Sequence, residues 1–280
     1  MEQKYSVLIS VYKKEIPIFL GRCIDSILMQ TILPSEILIV KDGELTDELD
    51  SMLDEYRKNH SEIKLLSLSN NVGLGKALQI GVLNCSNDLI ARMDSDDIAA
   101  PGRCELQLMA FSNDQELDVV GGQIIEFETD EPQSQSAEYR SKRKVPLSDP
   151  EIRAFAKRRN PFNHMTVMFR KEAVLKAGNY QEMPMFEDYF LWARMLSNGC
   201  KMINLDDVLV YARLGNGMYK RRGGLSYVRR MINCQKAFLA LGFISLPQYM
   251  KNITVRLPVA LVPNGMRKMF YNLFLRTSRQ

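Results

Sequence analysis

Residues 5–12 read YSVLISVY, a short and continuous run of apolar and β-branched side chains. Such a run is typical of a strand buried on both faces, as in a parallel sheet. Similar runs follow at 36–40 (EILIV), 63–68 and 89–93 (LIARM). The segments between them carry apolar residues at helical spacing and predict helices over 16–30, 45–58 and 75–83. This alternation predicts an α/β fold in which the first four strands form a parallel sheet with right-handed crossovers.

The pattern is looser after residue 97, although further helices and strands are indicated. Apolar residues at helical spacing predict helices over 103–111, 171–178 and 187–198. Apolar runs predict strands over 117–126, 166–170 and 202–211. Residues 129–144 are polar, with Ser-Gln repeats and an SKRK cluster, and predict a mobile surface loop. From residue 225 onward apolar and basic residues mix at helical spacing, with interruptions at Pro247, Pro258 and Pro263. This part of the chain predicts a helical tail.

The overall composition is that of a globular protein. Of 280 residues, 46% are hydrophobic and 25% are charged, which is too apolar for a disordered coil. The five cysteines form no CxxC pair, so we expect neither a structural zinc site nor a disulfide framework, and free thiols suit a reducing cytosol. The first ten residues include Glu2 and no long apolar run, so no secretory signal is expected. No window supplies the roughly 18 uncharged apolar residues that a spanning helix needs.

Charge is distributed unevenly along the chain. Residues 208–280 contain 13 Lys or Arg and no Asp or Glu, whereas the first 207 residues contain 33 acidic and 24 basic side chains. An acidic body with a basic tail points to an anionic partner at the C-terminal end. Membrane phospholipid, nucleic acid and a phosphorylated substrate all fit that description.

Acidic side chains follow two of the predicted strands at the edge where ligands bind in open α/β sheets. Asp42 follows the second strand, and Asp94-Ser95-Asp96-Asp97 follows the fourth. Three acids within four residues repel one another unless a positive charge lies between them, and Mg²⁺ or Mn²⁺ prefers carboxylate oxygens. The alternatives are a plain turn at Asp42 and an acidic turn that caps the helix before Pro101.

Residues 71–77 (NVGLGKA) resemble a glycine-rich phosphate loop only superficially. The dinucleotide fingerprint requires glycine at position 78, where this chain has Leu78, and the P-loop spacing also fails. NAD(P) binding and P-loop chemistry are therefore disfavoured. The alternative is a simple turn between a strand and a helix.

Three further segments carry groups that suit catalysis or binding. Glu187 and Asp188 begin an apolar helix, where a carboxylate serves either as a catalytic group or as a partner of the helix dipole. His164 in Asn160-Pro-Phe-Asn-His is either a substrate contact or a packed loop residue. The basic cluster 220–222 precedes two glycines, so it is either a loop that closes on a diphosphate or a solvated turn.

Taken together, the motifs resemble those of the family 2 inverting glycosyltransferases with the GT-A fold. The matching segments, in order, are SVLISVY, LIVKDG, NVGLGKA, ARMDSDD and FEDYFLW, and they span residues 5–211. The NPFNH and DSDDIAAPGR segments resemble bacterial O-antigen and exopolysaccharide transferases, which extend a sugar on undecaprenyl pyrophosphate. The QxxRW motif of processive synthases is absent from the sequence, which favours a transferase that adds a single sugar.

This resemblance implies a role for each matched residue. Asp42 would bind the uracil or ribose, although Lys41 replaces the acid that usually precedes it. Asp94 and Asp96 would form the DxD pair on Mn²⁺ or Mg²⁺, with Asp96 nearest the metal. Asp188 would be the catalytic base, with Glu187 as its rival, and we expect His164 and Trp192 to contact the acceptor. The remaining donor-binding candidates are Val11, Tyr12, Asn71, Gly73, Lys76, Arg92, Ser95, Lys220, Arg221 and Arg222.

The resemblance also implies an organisation for the chain. Residues 1–98 would be the nucleotide-sugar-binding half and 99–215 the acceptor-binding half of one GT-A domain, a mainly parallel mixed sheet flanked by helices. Residues 216–280 would be a basic, amphipathic helical tail that holds the protein peripherally at the cytoplasmic face of the inner membrane. The alternative is that its apolar residues pack against the catalytic domain and complete its core. The partners would be a UDP-sugar donor, with UDP-galactose or UDP-glucose favoured, and a polyprenyl-pyrophosphate-linked sugar acceptor.

Two alternatives remain at the level of the sequence. One is another nucleotide-sugar enzyme, such as a nucleotidyltransferase, but that class opens with a GxGxR-type loop where this chain reads Val11-Tyr12-Lys13-Lys14. The other is a nucleic-acid-binding protein that uses the basic tail, but no helix-turn-helix, RRM-type or zinc-binding pattern is found in the sequence. We therefore expect no nucleic-acid partner.

Overall fold

A computed structural model describes residues 4–127, 139–214 and 224–261. The N-terminal half alternates strands and helices as the sequence predicts. Its elements are β1 (Tyr5–Val11), α1 (Pro17–Leu28), β2 (Glu36–Lys41), α2 (Asp47–Asn59), β3 (Ile63–Ser67), α3 (Leu74–Asn84) and β4 (Leu89–Met93). The α/β class is confirmed.

The middle of the chain adds further strands and short helices. They are β5 (Ile98–Ala99), α4 (Arg103–Asn113), β6 (Leu117–Phe127), β7 (Tyr139–Arg143), α5 (Asp149–Ala156), a 3₁₀ turn (His164–Thr166), β8 (Met168–Arg170), α6 (Lys171–Lys176), α7 (Glu187–Ser197) and β9 (Lys201–Arg213). The prediction of one loop over 129–144 is wrong at its end, because β7 pairs antiparallel with β6 through the backbone. Its polar sequence, YRSKR, carries no apolar alternation from which a strand could be recognised.

The sheet is mixed, and its parallel part positions the site. The strand order is β3-β2-β1-β4-β8-β6-β9-β5, with β7 paired to β6. The first four strands of this order run parallel, β8 is antiparallel to both β4 and β6, and β6 is parallel to β9. The chain leaves β1 for β2 on one side and later returns to place β4 on the other side. Ligands bind in α/β sheets at such a reversal, beyond the carboxyl ends of the strands.

Two apolar layers cover the sheet. One contains residues of α1, α2 and α4, and the other contains residues of α3, α5 and α7. All five cysteines are free thiols, in agreement with the prediction that there is no disulfide framework.

The tail forms two helices, α8 (Gly224–Ala240) and α9 (Leu246–Leu261). We expected its apolar residues to enter a membrane interface, but Phe238, Phe243 and Ile244 are at most 5% exposed and join the core layer of α7. The Phe238 ring lies 4.7 Å from the ring of Tyr189. These three side chains complete the core instead, because an apolar helix face gains as much by packing on protein as by entering lipid. Among the described residues, no helix is both long enough and apolar enough to cross a bilayer.

A buried carboxylate links the amino-terminal ends of the parallel strands, at the edge of the sheet opposite the acidic residues. Glu36, which is 1% exposed, accepts hydrogen bonds from Ser6 Oγ (2.5 Å), Lys64 Nζ (2.8 Å) and both the backbone N and Oγ of Ser86 (each 2.7 Å). Burial alone would raise the pKa of Glu36, but these hydrogen bonds outweigh it and lower the pKa to about 2. The charged form therefore stabilises the fold.

We expect Glu36→Gln to lower the free energy of unfolding at pH 7 by about 2–3 kcal/mol, the usual cost of losing hydrogen bonds to a charged group. Because the folded-state pKa is lowered, the contribution is complete above the unfolded pKa of about 4.3 and is lost as the pH falls towards about 2. Urea unfolding from pH 7 to pH 2.5 would measure this, with the exposed Glu55→Gln as control. An equal difference from wild type at both pH values would contradict it.

Candidate active site

The acidic turn, residues 94–97, follows β4 at the reversal of the sheet. Arg92 Nη2 donates a hydrogen bond to Asp94 Oδ1, and Ser95 Oγ donates one to Glu15. Burial, together with the charges of Asp94 and Glu15, raises the pKa of Asp96 to about 7. Burial and the neighbouring acids also raise the pKa of Asp97 well above its usual value. The turn therefore concentrates negative charge that the surrounding side chains only partly compensate.

This donor set suits a hard divalent cation. Carboxylate oxygens are the ligands that Mg²⁺ and Mn²⁺ prefer. Asp97 Oδ2 is buried and has no hydrogen-bond partner within the described ranges, as expected where positive charge is in deficit. Among the same residues, no three His, Cys, Asp or Glu side chains are arranged to hold a metal by themselves. Asp94 and Asp96 would therefore need additional ligands from water or from substrate oxygens.

Asp42 holds the loop that follows β3. Its Oδ1 accepts from the backbone N of Val72 (2.7 Å) and its Oδ2 accepts from that of Gly73 (3.0 Å), while Asn71 Nδ2 donates to its carbonyl oxygen (3.1 Å). Gly73, which directly precedes α3, has a φ of +84°. A residue with a side chain would adopt this conformation only with strain. The carboxylate of Asp42 thus shapes the 71–73 loop, and contact with the uracil or ribose stays a prediction.

The other donor candidates lie around the same edge of the sheet. Val11 is buried at the end of β1, where its carbonyl oxygen accepts from the backbone N of Asp42 (2.7 Å), and the adjacent Tyr12 is 41% exposed. Lys76 is exposed in the first turn of α3 and donates to Gln79 Oε1 (2.5 Å). Lys220, Arg221 and Arg222 lie outside the described residues, and their role stays a prediction.

Arg92 connects the acidic turn to a second pair of carboxylates. The side chain is 2% exposed, and its Nε and Nη1 have no hydrogen-bond partner within the described ranges. Arg92 pairs with Asp94, and its positive charge also acts on Glu187 and Asp188, where it opposes the rise in their pKa values that burial causes. Residues that are 94 positions apart in the sequence, Asp94 and Asp188, therefore share one electrostatic environment.

Asp188 lies in the first turn of α7. Its Oδ2 accepts from Asn160 Nδ2 (2.6 Å), and its Oδ1 accepts from the backbone N of Tyr189 (2.7 Å). Burial raises the pKa of Asp188, and these hydrogen bonds oppose the rise. Burial and the charge of Asp188 raise the pKa of Glu187 to about 7. Both are carboxylates whose pKa is shifted towards neutrality, as a general base requires.

The segment before α7 is held in a strained backbone conformation. Asn179 (φ 57°) and Met185 (φ 72°) are the two residues other than glycine with positive φ in the described structure. Arg194 of α7 donates to the carbonyl oxygens of Ala177 and Asn179, the latter at 2.7 Å. Such strain persists only where the surroundings hold it, and it is common at functional sites.

His164 lies beside this segment. Its Nε2 is 2.8 Å from the hydroxyl oxygen of Tyr180. Burial and the charge of Arg92 lower the pKa of His164 well below its usual value, so the imidazole is neutral at pH 7. The contact of this ring with an acceptor stays a prediction.

The expectation that Trp192 contacts the acceptor is corrected. Trp192 is 0% exposed, with its ring centroid 5.3 Å from Phe162 and 6.1 Å from His164. Tyr189, the other ring beside Asp188, is 2% exposed, and its hydroxyl donates to Ala156 O (2.7 Å). The start of α7 reaches the site, but its next turn packs into the core, so neither ring offers a face to a sugar.

The structure adds residues that the sequence reasoning missed. Glu15 joins the acidic turn from the β1–α1 loop, Asn160 holds Asp188, and Arg213 at the end of β9 contacts the turn. Asn160 lies in the NPFNH segment, in which the sequence indicates only the histidine as a functional candidate. Nothing in the local sequence distinguishes Glu15 or Arg213.

The fold agrees with the comparisons to known proteins. The family described as Glycosyl transferase family 2 matches residues 6–178, more than half of the chain. The chain therefore belongs to glycosyl transferase family 2 and is a glycosyltransferase. This membership favours glycosyl transfer over the nucleotidyltransferase and nucleic-acid-binding alternatives.

Its relatives include proteins of nearly the same length. A protein of Haemophilus influenzae described as "Uncharacterized glycosyltransferase" is 40% identical over 98% of this chain and 99% of its own. The Escherichia coli "UDP-Gal:alpha-D-GlcNAc-diphosphoundecaprenol beta-1,3-galactosyltransferase" is 36% identical over 98% and 97%, respectively. Among solved structures, the mannosyltransferase PcManGT of Pyrobaculum calidifontis in complex with GDP-Man and Mn²⁺ aligns with a TM-score of 0.61 and 14% identity, covering 96% of this chain and 79% of that one. The last likeness shows the fold alone.

Proposed function

We propose that this protein is an inverting hexosyltransferase that moves one sugar from a UDP-sugar to a saccharide on a polyprenyl pyrophosphate, in bacterial O-antigen or exopolysaccharide synthesis. The observation that carries the proposal is the half-buried pair Glu187–Asp188, whose raised pKa values are partly offset by the charge of Arg92, which also pairs with Asp94 of the acidic turn at the reversal of the sheet. The activity for which the Escherichia coli relative is named supports UDP-galactose as donor and GlcNAc on diphosphoundecaprenol as acceptor.

The reaction is a single displacement at the anomeric carbon. Asp188 takes the proton of the acceptor hydroxyl, the hydroxyl oxygen forms a bond to the anomeric carbon, and the bond from that carbon to the UDP oxygen breaks with its electron pair leaving on UDP. Attack from the face opposite UDP inverts the configuration. Asp94 and Asp96 would hold Mn²⁺ or Mg²⁺, which supplies positive charge to the diphosphate as negative charge builds on it.

The neighbouring side chains prepare Asp188 for this role. Asn160 Nδ2 fixes its Oδ2 and the backbone N of Tyr189 fixes its Oδ1, so the carboxylate has one orientation. Burial raises its affinity for a proton, which increases the driving force for proton removal from a hydroxyl. A neutral His164 beside Tyr180 supplies hydrogen-bonding groups for acceptor hydroxyls without adding charge.

The decisive experiment screens UDP- and GDP-sugars against synthetic lipid-pyrophosphate acceptors that end in different sugars. We expect transfer of one hexose from a UDP-sugar, with an inverted anomeric linkage in the product by NMR. Retention of configuration, use of GDP-sugars alone, or addition of many sugars to one acceptor would each contradict the proposal.

We also propose that the tail brings the enzyme to the cytoplasmic face of the inner membrane, where a lipid-linked acceptor resides. Leu225, Arg229 and Lys236 recur at spacings of four and seven residues on the exposed face of α8, and Leu225 is 79% exposed. Exposed apolar residues continue on α9 at Leu246 and Met250, which are 59% and 57% exposed. Basic side chains beside apolar ones, with no acid after residue 207, suit an anionic lipid surface.

We therefore expect the combined change Arg229→Gln, Arg230→Gln and Lys236→Gln to weaken binding to vesicles that contain anionic lipid on the order of tenfold or more. The reason is that each basic group near such a surface contributes about 1 kcal/mol. Co-sedimentation at low and high salt would measure this, because salt screens the attraction.

A matched control removes three exposed basic groups elsewhere, Arg57, Lys58 and Lys176. Vesicle binding that falls equally in both triple variants would reflect net charge alone. Binding that is unchanged in the α8 variant would remove this helix from the membrane contact.

A further inference from the structure

The acidic turn is bracketed by two arginines from different strands. Arg92 of β4 pairs with Asp94, the first residue of the acidic turn. At its far end, Arg213 of β9 donates from Nε to the carbonyl oxygen of Asp96 (3.2 Å) and from its backbone N to Asp97 Oδ1 (2.7 Å). The turn that carries the candidate metal ligands is therefore fixed from both sides.

The side chain of Arg213 is itself held in place by aromatic rings. Its guanidinium carbon lies 3.6 Å from the ring centroid of Phe19 and 4.8 Å from that of Phe127. Contacts this close combine cation–π attraction with packing, which lysine reproduces poorly because its charge is compact and strongly hydrated. Phe19 belongs to α1 and Phe127 ends β6, so the rings of two other elements hold the guanidinium that β9 carries.

The pairing of strands brings the same residues together. β5, which follows the acidic turn directly, pairs antiparallel with β9, with Ile98 opposite Tyr211. Arg213 still pairs with Phe127 of β6, but it lies two residues beyond the last position of β9 that pairs with β5, on the side from which the turn enters β5. Its hydrogen bonds reach the backbone carbonyl oxygen of Asp96 and the side chain of Asp97.

We infer that Arg213 is a positioning residue that sets the affinity of the acidic turn for a divalent cation, by fixing the backbone from which the Asp96 carboxylate projects. Asp94, Asp96, Asp97 and Glu15 repel one another across this turn, and their repulsion would open it if only Arg92 held it. A preformed turn binds a cation without first having to be ordered, which raises the affinity. This inference rests on the proposed function, since it assumes that Asp96 is a metal ligand.

The test compares Arg213→Met and Arg213→Lys with wild type in Mn²⁺ binding, measured by electron paramagnetic resonance of free Mn²⁺ with and without UDP. We expect the dissociation constant for Mn²⁺ to rise about tenfold in Arg213→Met and by a smaller factor in Arg213→Lys, which keeps the charge and a donor. Thermal unfolding would confirm that each variant is folded. If Arg213→Met does not fold, Arg213→Lys alone still tests the inference.

Arg170 provides a matched control. Its guanidinium also lies over a phenylalanine ring, 5.2 Å from that of Phe111, and its Nε donates to a backbone carbonyl, that of Leu117, at 2.8 Å. It is remote from the acidic turn, so Arg170→Met should lose stability and leave the affinity for Mn²⁺ unchanged.

Each outcome separates the inference from the function on which it rests. Mn²⁺ binding by both Arg213 variants that equals or exceeds that of wild type would overturn the inference and leave the proposed function standing. An equal loss of Mn²⁺ affinity in Arg170→Met would also overturn it, because general destabilisation would then explain the effect. Wild-type protein that transfers sugar but binds no Mn²⁺ would overturn the metal assignment and the inference together.

Discussion

Asp188→Asn should leave UDP binding unchanged and lower the rate of sugar transfer about 10²–10⁴-fold, the usual contribution of a general base. The change removes the basic oxygen but keeps the size and shape of the side chain. An asparagine oxygen can still accept from Asn160 Nδ2, which is 2.6 Å from Asp188 Oδ2. The variant therefore tests proton removal with little disturbance of the fold.

Glu187→Gln is the matched control, because the two acids are adjacent and both have raised pKa values. Adjacent helical side chains point about 100° apart, so a single acceptor hydroxyl meets only one of them. Glu187 packs against α3, where a Cβ on Gly75 would lie 3.1 Å from Glu187 Cβ. We expect Glu187→Gln to cost far less than Asp188→Asn, and the reverse order of the two losses would transfer the role to Glu187.

The same assignment predicts a pH dependence. Burial raises the pKa of Asp188 in the folded protein, so its basic form is lost by protonation at a higher pH than for an ordinary aspartate. The rate of transfer at saturating substrate should therefore fall on acidification, beginning above the usual aspartate range near pH 4. In Asp188→Asn this acidic limb should disappear from the residual activity. A limb that persists unchanged would show that another group is the base.

The parts of the fold that the sequence predicted are those that local patterns determine. Each of the first four strands is a continuous apolar run flanked by turn residues, and all four occur in the structure within a residue or two of the predicted ends. Their order also placed Asp42 and the acidic turn at one edge, because the carboxyl ends of parallel strands meet there. Local pattern and fold agree in this half of the chain.

The missed features depend on contacts between distant residues. Arg213 reaches Asp97 from 116 positions away, through a strand pairing that no local pattern encodes. The resemblance implies that Trp192 contacts the acceptor, but the direction of α7 into the core, which buries Trp192, is set by its packing on other elements. For Phe238, membrane contact and core packing require the same apolar helix face, and only the structure distinguishes them. The helix α5, which the sequence analysis does not predict, does carry a local signal: Ser148 and Glu151 form a capping box at its start.

Asp96→Ala should lower the transfer rate by about 10²-fold or more, comparable to the loss of a group that stabilises transition-state charge. As UDP departs, negative charge builds on its diphosphate, and a cation held at Asp96 would offset it. The protein itself offsets only part of the negative charge there: Arg92 pairs with Asp94, and the charge of Arg213 lowers the pKa of Asp96 by less than burial, Asp94 and Glu15 raise it. Asp47→Ala, which removes an exposed acid from the first turn of α2, is the control for net charge.

Removal of divalent metal should reproduce the effect of the mutation. Wild-type protein in EDTA should fall to the activity of Asp96→Ala, and added Mn²⁺ should restore the wild type but not the variant. The variant should remain folded, because loss of the Asp96 carboxylate relieves repulsion within a turn where burial and the charges of Asp94 and Glu15 already raise the pKa of Asp96 to about 7. Full activity of the wild type in EDTA would show that the acidic turn binds no essential metal. The negative charge of residues 94–97 would then have to act on the substrate directly.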